Sequence, residues 1–177
     1  MTPRGRRADD GTNAIVPDPH PTAMRYQHTQ PAHVIRVAMA LALAPMLLVM
    51  VLVPNAENVP GSTLAILVGV AVILAATTAL FWSMTITVTD DELVWHFGPG
   101  VIRKRVPLAD VASCQPTRTS FWNGWGIHWS PRGWVYNVSG FGAVDVRLIS
   151  GKALRLGTDE PEALAEAIRD ALGHQRG

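Results

Sequence analysis

The chain has 177 residues, 48% of them hydrophobic and 16% charged, with a formal net charge of +1. A balance this close to neutral leaves no electrostatic footprint for nucleic acid. The single cysteine, Cys114, excludes an intramolecular disulfide and any multi-cysteine metal cluster, and fits a small, at least half-buried strand position.

Residues 1–32 read as a disordered tail. They combine Pro3, Pro17, Pro19, Pro21 and Pro31 with Arg, Asp and Thr, and they lack apolar periodicity. His20, His28 and His33 are spaced too irregularly to suggest a metal site.

Residues 33–83 hold two apolar stretches, Val37–Val53 and Thr63–Trp82, and Glu57 is the one charge between Val37 and Trp82. A bilayer core takes about twenty apolar helical residues. Thr63–Trp82 has that length. The first stretch reaches it if Val34 and Ile35 extend it and Arg36 snorkels to the interface. The expectation is a transmembrane hairpin with helices over about 34–53 and 63–82. Pro45 predicts a kink in the first. Arg4, Arg6, Arg7, Arg25 and Arg36 precede the first helix, and the connecting loop Pro54–Ser62 has no Lys or Arg. The positive-inside rule then puts both termini in the cytoplasm of a multi-pass cell-membrane protein. A cleaved signal peptide fits less well, because some thirty residues precede the stretch and Val53-Pro-Asn-Ala-Glu57 is a poor cleavage site.

Residues 84–174 change to a period of two, and from Ser83 onward ten Lys/Arg balance ten Asp/Glu. Ile86 and Val88 alternate with threonines. Asp90-Asp91 turns the chain, and Leu93, Trp95 and Phe97 share a face. Gly98-Pro-Gly100 turns it again before a strand over Val101–Val106. A single helical turn at Pro107–Val111 leads to a strand ending at Pro116. Further strands are predicted at Ile127–Trp129, Trp134–Val138, 144–148 and 154–156, all antiparallel. Leu164, Ala167, Ile168, Ala171 and Leu172 then fall on one face of a helix, with Asp159 as N-cap, Glu162 at the capping-box position and Gly173 as its stop. About seven short antiparallel strands and one amphipathic helix predict a mainly-β sandwich or open barrel capped by that helix.

The pattern Ile86-Thr-Val-Thr-Asp-Asp-Glu-Leu93, then Val106-Pro-Leu-Ala-Asp-Val111, the strand pair around Asp145–Gly157 and the helix Pro161–Leu172 resemble a bacterial pleckstrin-homology-like (PH-like) domain. In many such proteins the domain follows an N-terminal two-helix membrane hairpin. Gly124-Trp-Gly-Ile127 and Gly133-Trp-Val-Tyr-Asn-Val-Ser-Gly-Phe141 resemble a subgroup of those bacterial membrane proteins. The resemblance implies a binding scaffold, which does not settle function. One departure is the acidic first turn, Asp90-Asp91-Glu92, where phosphoinositide-binding relatives carry basic residues.

Two candidate surfaces follow. Phe121, Trp122 and Trp125 crowd a loop without regular alternation. They either cover the open end of the sandwich or anchor a partner helix, a second copy or the membrane interface. Arg103, Lys104 and Arg105 form the one basic run, which is either a charge-blunted exposed strand or a headgroup site. Trp129 and Trp134 fit core or cross-strand packing, and His96 an exposed position.

No catalytic pattern stands out. His128 lies near Ser130, but there is no nucleophile elbow, HExxH, P-loop or dinucleotide fingerprint, and neither apolar stretch has an ionisable residue in its middle. Asn137-Val-Ser139 matches a glycosylation sequon but falls in a predicted strand on the cytoplasmic side. The expectation is a non-enzymatic, cofactor-free, membrane-tethered interaction module. It assembles with itself or another membrane protein. The alternative is a domain that senses lipid headgroups or the membrane surface.

Overall fold

A computed structural model describes residues 23–52, 60–120 and 124–176. The tail before 23, the connection 53–59 and the tip 121–123 lie outside the described residues.

The first strand, β1 (Met24–Pro31), falls in the segment expected to be a disordered tail. It pairs antiparallel with β2 (Ser83–Thr89), with Pro31 opposite Ser83 and Met24 opposite Thr89. Its inward positions, Tyr26, His28 and Gln30, are polar, so apolar periodicity could not reveal it. Each of them makes a hydrogen bond across the sandwich instead, although Gln30 Oε1 is enclosed without a partner. Gln30 Nε2 donates to the Ser139 carbonyl at 2.8 Å, and Tyr26 Oη donates to Glu160 at 3.2 Å. The β-sheet unit therefore starts before the helices, not after them.

Residues 32–82 are an excursion between two paired strands. Helix α1 (His33–Leu52) runs through Pro45, and helix α2 (Gly61–Leu80) packs against it. Among the described residues, Gly61–Leu80 is the one helix long and apolar enough to cross a membrane, and none of its side chains is buried. The apolar part of α1, His33–Val49, is shorter.

Strands β1 and β2 continue through β3 (Glu92–Phe97) to β4 (Ile102–Pro107) in a four-stranded antiparallel sheet, order β1-β2-β3-β4. A 3-10 turn at Leu108–Asp110, matching the single turn expected there, leads to β5 (Val111–Arg118). The second sheet adds β6 (Gly126–Ser130), β7 (Gly133–Asn137), β8 (Gly142–Leu148) and β9 (Ala153–Gly157), in the order β5-β8-β9-β7-β6. The fold is thus mainly β, with nine strands among the described residues rather than about seven. The pairing is not wholly antiparallel either: β9 returns between β8 and β7 and runs parallel to β7. A run of alternating residues does not specify the direction of its neighbour.

Helix α3 (Pro161–Arg176) packs on β5, β8, the 3-10 turn, β1 and β2. Leu164, Ala165, Ile168 and Ala171 are fully buried with Met84, Leu93, Phe97, Leu108 and Leu156 in one core. The helix does not stop at Gly173. Its last turn is tethered, because Gln175 donates to the Asp90 carbonyl at 2.8 Å. Nor is Asp159 its cap: Thr158 Oγ1 accepts from the Glu160 amide at 3.1 Å, while Asp159 Oδ1 lies 2.7 Å from His28 Nε2.

Replacing Ile168 with Ala should destabilise the protein by about 2–5 kcal/mol, the usual cost of emptying a fully buried aliphatic site. Replacing Glu166, exposed on the same helix, should cost little. Denaturant unfolding followed by tryptophan emission compares the two; equal effects would mean that α3 does not pack this way.

Candidate functional site

The sandwich has two distinct ends. At the helix end lie the Pro31–Ser83 step and the β3–β4 turn. Ser139 joins them through Gln30, and Phe141 through the bond from the Thr119 amide to its carbonyl, 2.7 Å. At the far end, the Asp91 carbonyl accepts from the Leu108 amide and the Asp110 carbonyl from the Ile149 amide, each at 2.8 Å. The chain alternates between the ends, so Thr119, Ser120, Gly124 and Trp125 belong to the helix end and the β6–β7 and β8–β9 turns to the far end.

The joint between helices and sheet is tightly built. The Ala32 amide donates to the Trp82 carbonyl at 3.0 Å, extending the β1–β2 ladder one step into the helices. Arg36 Nη2 donates to the same carbonyl at 3.0 Å, and its guanidinium carbon lies 3.7 Å from the centroid of the Trp82 ring, a cation–π contact. Phe81 meets Phe97 edge-on, centroids 5.4 Å apart. Gly98, at φ +45, donates to the Ser83 carbonyl at 2.8 Å. A Cβ at Gly98 would lie 2.6 Å from the Ala79 carbonyl oxygen and 2.7 Å from that of Leu80, so only glycine lets this turn seat against the end of α2. Trp82, Val101 and Phe141 are exposed at this end.

Of the aromatic loop residues, Phe121 and Trp122 lie outside the described residues. Trp125 is half-buried, its ring 6.4 Å from that of Phe141. Arg103, Lys104 and Arg105 are exposed on β4, the edge strand of the first sheet. Arg103 pairs in register with His96, and Lys104 with Trp95. His96 is half-buried rather than exposed, and its Nδ1 is enclosed without a hydrogen-bond partner. Trp129 and Trp134 do pack across strands, 5.7 Å apart and edge-to-face, but they are not core residues: they remain 66% and 47% exposed.

The acidic turn is not simply solvated. Arg25 reaches Asp90 from β1, and its hydrogen bond holds the Asp90 carboxyl below the ordinary carboxylate range. On the second sheet, Arg155, itself nine-tenths buried, donates to both Asp145 oxygens at 2.6 and 2.8 Å. Cys114 is buried as expected. Burial pushes its thiol up, and Sγ faces the Ala165 carbonyl at 3.4 Å, an unreactive setting. Asn137, of the sequon, is buried; its Oδ1 accepts from the Ser139 amide at 3.1 Å.

For chemistry the arrangement offers little. Ser130 Oγ donates to the Gly133 carbonyl at 2.8 Å, so its proton is committed to the main chain, while His128 Nε2 has no partner. Among the described residues no group of three or more His, Cys, Asp or Glu could hold a metal ion. No protein family, curated protein or solved structure matches this chain.

The β1–α3 contact carries a titration that can be followed. Burial, reinforced by the Glu160 carboxylate, pushes the Tyr26 hydroxyl up from 10.0 to about 12. The unfolded chain ionises this group near its ordinary value, whereas the folded chain holds it neutral until about pH 12. Its contribution to stability is therefore intact below about pH 10 and is lost as pH rises towards 12. Tyr26→Phe should flatten part of the alkaline decline in stability, the buried Tyr136, also shifted upward, supplying the rest. Alkaline unfolding curves of the two proteins check this.

Proposed function

We propose that the chain is a membrane-anchored interaction module of PH-like architecture. In this reading α1 and α2 cross the bilayer as a hairpin, both termini are cytoplasmic, and the loop 118–126 meets a second copy or another membrane protein beside the bilayer. The observation that carries the reading is the joint: the Ala32 and Arg36 bonds to Trp82, the Phe81–Phe97 contact and the close seat of Gly98 against α2. A flexible tether would let the sandwich tumble. This joint ties the sandwich to both helices at once, and Thr119 and Trp125, which flank the aromatic loop, lie at the same end of the sheets, which supports the reading. Trp82, with Arg36 over its ring, suits the headgroup level, where Trp is favoured and Arg can snorkel. The proposal includes no catalysis and no cofactor.

A second reading, headgroup sensing, draws on the exposed run Arg103, Lys104 and Arg105, because β4 begins beside the helices. Liposomes separate the two readings. Changing Arg103 and Arg105 to Ala should alter behaviour on anionic vesicles only if the second one holds.

Topology is tested by single cysteines at Asn58 and Gly140 in a Cys114→Ala background. An impermeant maleimide applied to intact cells should label Asn58 and spare Gly140; labelling of Gly140 would overturn the orientation.

Assembly is tested by Trp122→Ala and Trp125→Ala in the full-length protein. Each should weaken crosslinking to the partner or second copy by about 2 kcal/mol if it is a hot spot, with the melting temperature preserved. Early melting with normal crosslinking would make the loop a lid on the core instead.

A further inference from the structure

The far end of the sandwich carries a second surface, with no part in anchoring. The β6–β7 turn and the β8–β9 turn meet there. Gly133, at φ +122, approaches the neighbouring strand so closely that a Cβ would lie 2.0 Å from the Ala153 carbonyl oxygen. Two adjoining clefts of about 300 and 380 Å³ open around this contact and share Arg132 and Trp134 in their walls.

Three features of this surface are open to a partner. Trp129 and Trp134 present apolar faces, 66% and 47% exposed, at the rim of the sheet. Arg132, Arg147 and Lys152 line the clefts, and none of them forms an ion pair among the described residues. The one carboxylate in the walls, Asp145, is occupied on both oxygens by Arg155. Finally, β6 is the last strand of its sheet, so its outer edge has no strand partner among the described residues.

We infer that this surface binds an extended, acidic segment of a partner protein, added to the sheet along the free edge of β6. Main-chain groups of β6 supply pairing. Trp129 and Trp134 take alternate apolar side chains, and Arg132 and Lys152, at the two turns beside them, take the carboxylates. Nucleic acid is disfavoured because a backbone track needs many cations, whereas the chain from Ser83 onward is charge-balanced. The chain's own bilayer is disfavoured because the clefts lie at the end opposite the helices, an exclusion that rests on reading α1 and α2 as the anchor. The site is otherwise independent of the 118–126 loop, which leads into the other end of β6.

The test uses full-length protein in mild detergent and an array of short, end-blocked peptides alternating apolar with acidic, neutral or basic residues. The acidic series should bind best. Combined Arg132→Glu and Lys152→Glu should weaken its binding at least about tenfold and turn the preference towards the basic series. Trp134→Ala should weaken binding of the acidic and neutral series alike, and Trp125→Ala should leave it unchanged, which separates this site from the loop. Because Arg132 and Lys152 are exposed, the paired Gln variants serve as a folded control, and they should lose affinity without gaining the basic preference. Absence of binding in every series, equal binding of acidic and basic peptides, or indifference to the charge reversal would overturn the proposal. So would displacement of the peptide by inorganic phosphate or by anionic vesicles, since the site would then take a small anion or a membrane surface.

Discussion

The pairing of β1 with β2 is the constraint on which the rest of this molecule depends. Pro31 lies opposite Ser83, and the Ala32 amide bonds to the Trp82 carbonyl one step further on. The chain therefore leaves the sheet at residue 32 and returns to it at residue 82, at two points one strand apart. Whatever α1 and α2 do between those residues, their bases are fixed side by side. The ladder supplies the closure that a free loop of this length would have to meet with chain entropy. Arg36, Phe81, Trp82 and Gly98 then add directional contacts to the two strand ends.

The same strand ties the first sheet to α3. Tyr26 and His28 face Glu160 and Asp159 at the start of the helix, and Gln30 bonds the Ser139 carbonyl. At the other end, Arg25 meets Asp90, whose carbonyl accepts from Gln175 in the last turn of α3. A polar strand is thereby made a structural one. Each of these side chains makes a bond to another element, which offsets part of the desolvation cost of burial, although Gln30 Oε1 has no partner. The apolar work is done elsewhere, by Phe97, Leu156, Leu164 and Ile168 in the shared core.

This division explains which parts of the fold could be read from residues alone. The strands Ser83–Thr89, Glu92–Phe97 and Gly142–Leu148 alternate apolar and polar side chains, and α3 has an apolar stripe, so both announce themselves. β1 does not, because its inner face is Tyr26, His28 and Gln30, and its partner is more than fifty residues away in sequence. The parallel β7–β9 pair was illegible for a related reason: register and direction are set by the whole sheet, not by a strand's own alternation. Among the candidate residues, Cys114 and the exposed β4 run sit where their patterns suggested. Trp129 and Trp134 have alternation that looks like core, yet they lie past the end of the opposing sheet's cover and face solvent. Sequence fixes which face of the sheet a residue occupies; where the core ends is a tertiary fact.

The consequence for function is that the helices and the sandwich are one mechanical object. Were the domain simply appended after Trp82, a single bond would join it to α2 and its loops would sample all orientations. Here two strands leave the sheet for the helices, and a cation–π contact and an aromatic pair brace them. Rotation about either strand alone is blocked by the other. A displacement of α1 relative to α2 must therefore strain the Pro31–Ser83 step or be passed into the four-stranded sheet, whose other strands carry the Gly98 turn and the exposed basic edge. Cutting the chain at Ser83 would remove not a tail and an anchor but an edge strand, leaving β2 unpaired on one side and Glu160 and Asp159 without Tyr26 and His28.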